Sequence, residues 1–217
     1  MLMRSRKGIR VLVVDDHALV RYAIRQLLLG EPDVEFVGDA DSITQAMKCV
    51  REEDWDVVIM DIRLPDQNGL DGLPKIKRLK PQLQILVVTM CPEDQYALRA
   101  LKAGASGYLH KSDSPEHLIA AVHKLVDGGA YVSDAITLQL AAQLNSKSKE
   151  ALHELFSDRE FAVLCAIAEG KSLTQIANDS NLSAKTVTTY RKRVLDKLGM
   201  HSNTELVRYA LENGLVT

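Results

Sequence analysis

Hydrophobic positions in the first 130 residues follow two alternating patterns. Short apolar runs, rich in β-branched residues, occur at Arg10–Val14, Val34–Val37, Asp56–Met60, Gln84–Thr89 and Ser106–Leu109. Runs that are apolar throughout predict strands covered on both faces. Between them apolar residues recur at helical spacing: Leu19, Ala23, Ile24, Leu27 and Leu28 in the first interval, Leu98 and Leu101 beside Lys102 in a later one, and Leu118, Ala121, Val122 and Leu125 in the last. Asp16, Ser42 with Gln45, and Ser114 before Pro115 are the expected helix starts. The alternation predicts an α/β doubly wound fold, a five-stranded parallel sheet with helices on both faces.

The pattern changes after Ser133. One short helix is expected over Ala135–Leu144, and the polar run Asn145-Ser146-Lys147-Ser148-Lys149 reads as a linker. Beyond it only helical periodicity is found. Ser157-x-x-Glu160, Ser172-x-x-Gln175 and Ser202-x-x-Glu205 are capping boxes, and Ser183 is a fourth N-cap. Four helices are expected near 158–169, 173–179, 184–198 and 203–212, with glycines 170, 199 and 214 as stops. The expected organisation is a first domain over 1–130, a connector over 131–152 with a possible short helix, and a small all-α four-helix domain over 153–217.

Composition narrows the function classes. With 46% hydrophobic and 26% charged residues the 217-residue chain has an ordinary globular balance. A net charge of −2 excludes a polycation that coats nucleic acid, so any such site is a local patch. Nothing approaches the roughly 18 apolar residues of a bilayer span. The basic start Met1–Lys7 is followed by too short an apolar run for a signal peptide, so a cytoplasmic protein is expected. Cys49, Cys91 and Cys165 form no C-x-x-C pair, and the six histidines show no metal spacing.

Five polar residues fall at the carboxyl ends of expected strands: Asp15 and Asp16 after the first, Asp61 after the third, Thr89 at the end of the fourth and Lys111 past the fifth. In an open α/β sheet of order 2-1-3-4-5 this edge carries the site, beside the switch point between the first and third strands. Three carboxylates in close quarters repel one another unless a cation joins them, and all-oxygen donors suit Mg²⁺. A carboxylate beside such an ion can act as nucleophile in phosphoryl transfer, with Lys111 and the Thr89 hydroxyl on phosphoryl oxygens. Taken singly, each residue could be a cap or a solvated charge; their joint placement at one edge is the signal. A Mg²⁺-dependent phosphohydrolase would use Asp61 in the same way, but would need a second acid two residues on, where this chain has Arg63.

The segments Val11–His17, Met60–Gly72 and Ala103–Lys111 resemble a response-regulator receiver domain over about residues 9 to 128. The resemblance implies a flavodoxin-like receiver with Asp61 as phosphoacceptor, and Mg²⁺ held by Asp15, Asp16, Asp61 and the backbone carbonyl of Arg63. It implies that Thr89 and Lys111 read the phosphoryl group, that Tyr108 is the switch aromatic turning inward with Thr89, and that the donor is a phosphohistidine on a sensor histidine kinase. The residue after the threonine is usually small in that family and is Met90 here, which would narrow access to the pocket. His17 and His110 read as neighbours of the pocket and of Lys111, with no role assigned.

In the second domain the charge is uneven. Residues 151–217 balance eight basic against eight acidic residues, yet Ser183–Leu198 holds Lys185, Arg191, Lys192, Arg193 and Lys197 against the single acid Asp196. Helical spacing puts Lys185, Thr188, Thr189 and Lys192 on one face and Val187, Val194, Leu195 and Leu198 on another. A basic helix after a short turn through Ser180-Asn181-Leu182 reads as a helix-turn-helix entering the major groove. The motifs Phe156–Glu160, Glu169–Ser172, Gln175–Ala177, Leu182–Val187 and Lys197–Gly199 resemble a LuxR-type DNA-binding domain. The whole chain thus resembles the NarL/FixJ group of two-component response regulators, with Thr189–Arg193 nearest its GacA and BvgA kind. The resemblance implies a transcription regulator rather than an enzyme, with at most self-dephosphorylation. Lys185, Thr188, Thr189 and Lys192 would face bases or phosphates, and Arg191 and Arg193 phosphates. The partners implied are double-stranded promoter DNA and a second copy of the chain, and Leu206, Val207, Tyr209, Ala210 and Leu211 are candidates for part of that homodimer contact. An adaptor whose carboxy-terminal domain binds protein is the remaining alternative from the residues alone.

Overall fold

A computed structural model describes residues 8–145, 156–180 and 182–216. The basic start before Gly8, the linker run from Ser146 onward and the turn residue Asn181 lie outside the described residues. The chain divides into two compact units at Asn145.

In the first unit β1 (Ile9–Val14), α1 (Ala18–Leu29), β2 (Val34–Ala40), α2 (Ile43–Glu52), β3 (Val57–Met60), α3 (Gly69–Leu79), β4 (Gln84–Thr89), α4 (Glu93–Lys102), β5 (Gly107–His110), α5 (Pro115–Val126) and α6 (Asp134–Asn145) follow in order. The strands form one parallel sheet in the order β2-β1-β3-β4-β5. Alternation along each strand divides the core. Val11, Val13, Ile59, Leu86, Val88 and Leu109 pack with Ile24 and Leu28 of α1 and Leu118, Ala121, Val122 and Leu125 of α5. The intervening Leu12, Val14, Val58, Met60, Ile85 and Val87 are equally buried and serve the opposite face. Each fully buried side chain of this size contributes about 1.5–3 kcal/mol.

Some expectations are revised. Asp16 does not cap α1: His17 holds the N-cap position without a side-chain bond, because the Asp15 and Asp16 side chains turn to the sheet edge. Ser114 precedes Pro115 at the start of α5 but makes no capping bond. Leu19 and Ala23 of the expected α1 stripe are exposed, and α4 is buried through Tyr96, Ala97 and Ala100 rather than Leu98 and Leu101. Strand β2 continues past Val37 to Ala40, since Gly38, Asp39 and Ala40 still pair with Leu12, Val13 and Val14. Helix α6 lies against α4 with Ile136 buried, and Tyr131 bridges Gly107 beside the β5 edge.

The second unit contains α7 (Asp158–Ala168), α8 (Leu173–Asp179), α9 (Ala184–Leu198) and α10 (Asn203–Glu212). All three expected capping boxes are formed, and Ser183 accepts from the Thr186 N–H. Gly170, Gly199 and Gly214 have positive φ at or just beyond the helix ends. Leu206, Tyr209 and Ala210 are core residues, which removes them from the surface expected for a dimer contact; Leu211 is exposed and Val207 partly so.

Candidate functional site

Register brings the acidic residues together. Val14 pairs with Met60 and Met60 with Val87, so β1 and β3 end level and Asp15 and Asp61 leave them side by side. Backbone bonds carry the ladder one step further: the Asp61 N–H donates to the Val14 carbonyl at 2.9 Å and the Lys111 N–H to the Thr89 carbonyl at 2.8 Å. Asp15, Asp61 and Thr89 are buried (2%, 4% and 0% exposed), whereas Asp16 is half-buried.

Lys111 joins the two buried carboxylates. Its Nζ lies 2.5 Å from Asp15 Oδ2 and 2.6 Å from Asp61 Oδ2. Burial by itself would lower the lysine's pKa, but the bonds it donates to these two carboxylates and their negative charge outweigh it and the net shift is upward. The other Asp61 oxygen accepts from the Arg63 N–H at 3.2 Å, and the Arg63 side chain is exposed. Asp15 Oδ1 accepts from the His17 N–H at 2.8 Å.

The donor set fits a divalent cation. Ligand atoms of Asp15, Asp16, His17 and Asp61 all lie within 4.8 Å of one another, and the buried Oδ1 of Asp16 makes no hydrogen bond. That atom is 2.7 Å from His17 Nδ1, close enough for an ion pair but without hydrogen-bond geometry. With three carboxylates and one ammonium the formal charge of the pocket is −2, which one divalent ion cancels.

Tyr108 is buried, and its hydroxyl donates to the Cys91 carbonyl at 2.8 Å. Thr89 Oγ1 accepts from the Cys91 N–H at 3.4 Å. The β4–α4 turn is thus tied at one residue to both side chains. Burial pushes the Tyr108 phenol and the Cys91 thiol upward, so both are neutral. Met90, beside Thr89, is 58% exposed.

Two features of this end are absent from the sequence reading. Asp66 accepts from the first two α2 N–H groups, Ile43 at 3.1 Å and Thr44 at 2.9 Å, so the loop after Asp61 is tied to a helix 22 residues earlier. Gly69 lies so close that a Cβ there would collide with the Asp61 carbonyl oxygen. Neither leaves a local signal beyond Asp and Gly in a turn. Elsewhere His123 Nε2 lies 3.1 Å from Asp33 Oδ1, a pair 90 residues apart that histidine spacing does not reveal.

In the second unit Lys185, Thr188, Thr189, Lys192 and Arg193 are exposed on α9, while Val187, Val194 and Leu195 anchor it. The Thr188 and Thr189 hydroxyls donate to the Ala184 and Lys185 carbonyls at 2.8 and 2.9 Å, so outward they offer an acceptor oxygen and a methyl. The half-buried Arg191 donates to Asn203 Oδ1 at 2.5 Å, and the Arg193 guanidinium lies 6.0 Å from the Tyr190 ring. Lys185, Thr186, Thr189, Tyr190 and Arg193 line a shallow depression of about 280 Å³. At the other end of α9, Lys197 donates to the buried Glu160 at 2.6 Å. Among the described residues no helix is long and apolar enough to cross a membrane.

Residues 11–123 match the family model of the response regulator receiver domain, and residues 154–210 that of the luxR family of bacterial regulatory proteins. The chain is 36% identical over 209 residues to the response regulator GacA of Pseudomonas aeruginosa, covering 96% of this chain and 98% of that one. It is 35% identical over 208 residues to the response regulator UvrY of Escherichia coli, covering 95% of each. Among solved structures, RcsB of Salmonella enterica serovar Typhimurium, bound to promoter rprA in the presence of the phosphomimetic BeF3−, is 27% identical; the match has a TM-score of 0.61 and covers 93% of this chain and 98% of that one. With an acidic pocket at the receiver's switch point and a basic helix in the luxR-type unit, this chain belongs to the LuxR-family response regulators.

Proposed function

We propose that Asp61 accepts a phosphoryl group from the phosphohistidine of a sensor histidine kinase and thereby controls how α9 engages promoter DNA. The P–N bond of the donor breaks as a P–O bond forms to an Asp61 carboxylate oxygen, and the imidazole leaves with its nitrogen pair restored. Asp15, Asp16, Asp61 and the Arg63 carbonyl would hold Mg²⁺, which when bound offsets charge on the phosphoryl oxygens. Lys111 moves from the carboxylates to a phosphoryl oxygen, and the Thr89 hydroxyl donates to another. The observation that carries this reading is the Lys111 ammonium held between Asp15 and Asp61 in a buried pocket.

The new group adds close to two negative charges where Thr89 meets Cys91. Drawing the Thr89 hydroxyl away releases one of the two ties on the β4–α4 turn, and Tyr108 follows. Turning a switch from 1:99 to 99:1 needs about 5.5 kcal/mol, within reach of a few charge-assisted bonds. The active form is a homodimer, since one short helix reads only a half-site; RcsB dimers bound to DNA support that carry-over. Lys185, Thr188, Thr189 and Lys192 read bases or phosphates, and Arg191 and Arg193 phosphates. We assign 1–130 to the receiver, 131–152 to the connector and 153–217 to the DNA-binding domain, all working in the cytoplasm, with self-dephosphorylation as the only hydrolysis.

Incubation with acetyl phosphate and Mg²⁺ tests the assignment. The wild type takes up alkali- and hydroxylamine-labile label and Asp61→Asn does not; label retained by Asp61→Asn would move the acceptor elsewhere.

A further inference from the structure

Resting on the reading of Asp61 as phosphoacceptor, we infer that His110 is a positioning residue for phosphoryl transfer: its ring holds the peptide between Met90 and Cys91 and so fixes where the Thr89 hydroxyl stands. Thr89 pairs with His110 across β4 and β5, which puts this ring at the end of the ladder, directly before Lys111. His110 Nε2 lies 3.2 Å from the Met90 carbonyl oxygen. Its Nδ1 lies 2.6 Å from Ser112 Oγ and 3.3 Å from the Ser112 amide nitrogen.

These partners fix the ring's proton. A carbonyl oxygen only accepts, so Nε2 donates to Met90, and Nδ1 of the neutral ring accepts from the Ser112 N–H and hydroxyl. The backbone of His110 is held as well: its N–H donates to Asp113 Oδ2 at 2.9 Å, and its carbonyl accepts from the Asp113 N–H at 2.9 Å. The loop that carries Lys111 thus sets the ring's place. The Met90 carbonyl and the Cys91 N–H belong to one planar peptide. His110 donates to its oxygen, and its N–H donates to Thr89 Oγ1 at 3.4 Å. Two phosphoryl-reading groups therefore meet through one amide plane, Thr89 on the nitrogen side and the Lys111 loop on the oxygen side. The Met90 side chain is 58% exposed, so its own packing does little to hold that plane. When a phosphoryl oxygen draws the Thr89 hydroxyl away, the nitrogen side is freed and the oxygen side stays with His110. The turn then swings about this bond rather than loosening as a whole.

Two conservative variants separate the ring nitrogens, since a Gln amide reaches about as far as Nε2 and an Asn amide only as far as Nδ1. The readout is the rate at which the full-length protein takes up label from acetyl phosphate with Mg²⁺. In His110→Asn the rate falls at least about fivefold, the effect of one lost hydrogen bond beside the reacting group, and in His110→Gln it stays within about twofold of the wild type. Nitrogen resonances of the wild-type ring in mildly alkaline buffer, assigned by their loss in His110→Gln, place the proton on Nε2. A proton on Nδ1, a wild-type rate in His110→Asn, or an equal loss in both variants overturns the role of His110. Label taken up equally by Asp61→Asn overturns the acceptor reading instead, and the tautomer then still decides whether His110 holds the turn.

Discussion

The Tyr108 hydroxyl donates to the Cys91 carbonyl at 2.8 Å, linking the edge strand β5 to the turn that follows β4. Tyr108→Phe removes the donor and leaves a buried carbonyl unpaired, a loss of about 1–3 kcal/mol. If this tie couples pocket and surface, the variant takes up as much phosphoryl label as the wild type but gives a smaller phosphorylation-dependent gain in DNA affinity. Urea unfolding and duplex titration separate the two effects; an unchanged gain would remove Tyr108 from the switch.

Gly69 touches no reacting group, yet a side chain there would run into the Asp61 carbonyl oxygen. Backbone cannot yield as a flexible side chain does, so Gly69→Ala displaces the end of β3 or the start of α3 at a cost of about 1–3 kcal/mol. Uptake of label falls while the α9 surface and non-specific DNA binding are unaffected. Full uptake in Gly69→Ala would mean that the position of Asp61 tolerates movement.

Much of the fold is legible in the chain because it rests on local rules. Strand runs, three capping boxes and the glycines after α7, α9 and α10 are each set within a few residues. Strand-end acids are readable for the same reason, since topology sends every strand terminus to one edge. Illegible parts depend on contacts far apart in sequence. The Asp66 cap on α2, the Gly69 approach to Asp61 and the His123–Asp33 pair require the finished fold. Asp16 fails as a helix cap for a related reason: the acidic edge claims its carboxylate. Final-helix residues Leu206, Tyr209 and Ala210 show the limit of periodicity, which marks an apolar face but not whether the same unit covers it.

Glu160 sets a pH dependence. Its burial alone would raise the carboxyl's pKa, but Lys197 and the Ser157 backbone outweigh it and hold the value below normal. A depressed carboxyl contributes stability above the free value of about 4.3, and that contribution is lost as pH falls through the folded value. Protection of α7 amides, corrected for intrinsic exchange, should therefore weaken below about pH 4.3 in the full chain, and Glu160→Gln should flatten the dependence. Equal slopes in both proteins would contradict the role of the pair.

Lys192 stands on the exposed face of α9. If each subunit meets about four phosphates, log affinity against log salt has a slope near −3.6, and Lys192→Ala reduces it by about 0.9. A salt-independent affinity would count against α9 as the DNA-contacting helix.

Selection of duplexes from a random pool by the phosphorylated full-length protein, run beside Asp61→Asn under the same phosphorylating conditions, tests the central claim most directly. The account predicts a recurrent two-fold sequence for the wild type and strongly reduced enrichment for the variant. Equal enrichment of the same sequence by both proteins would contradict it.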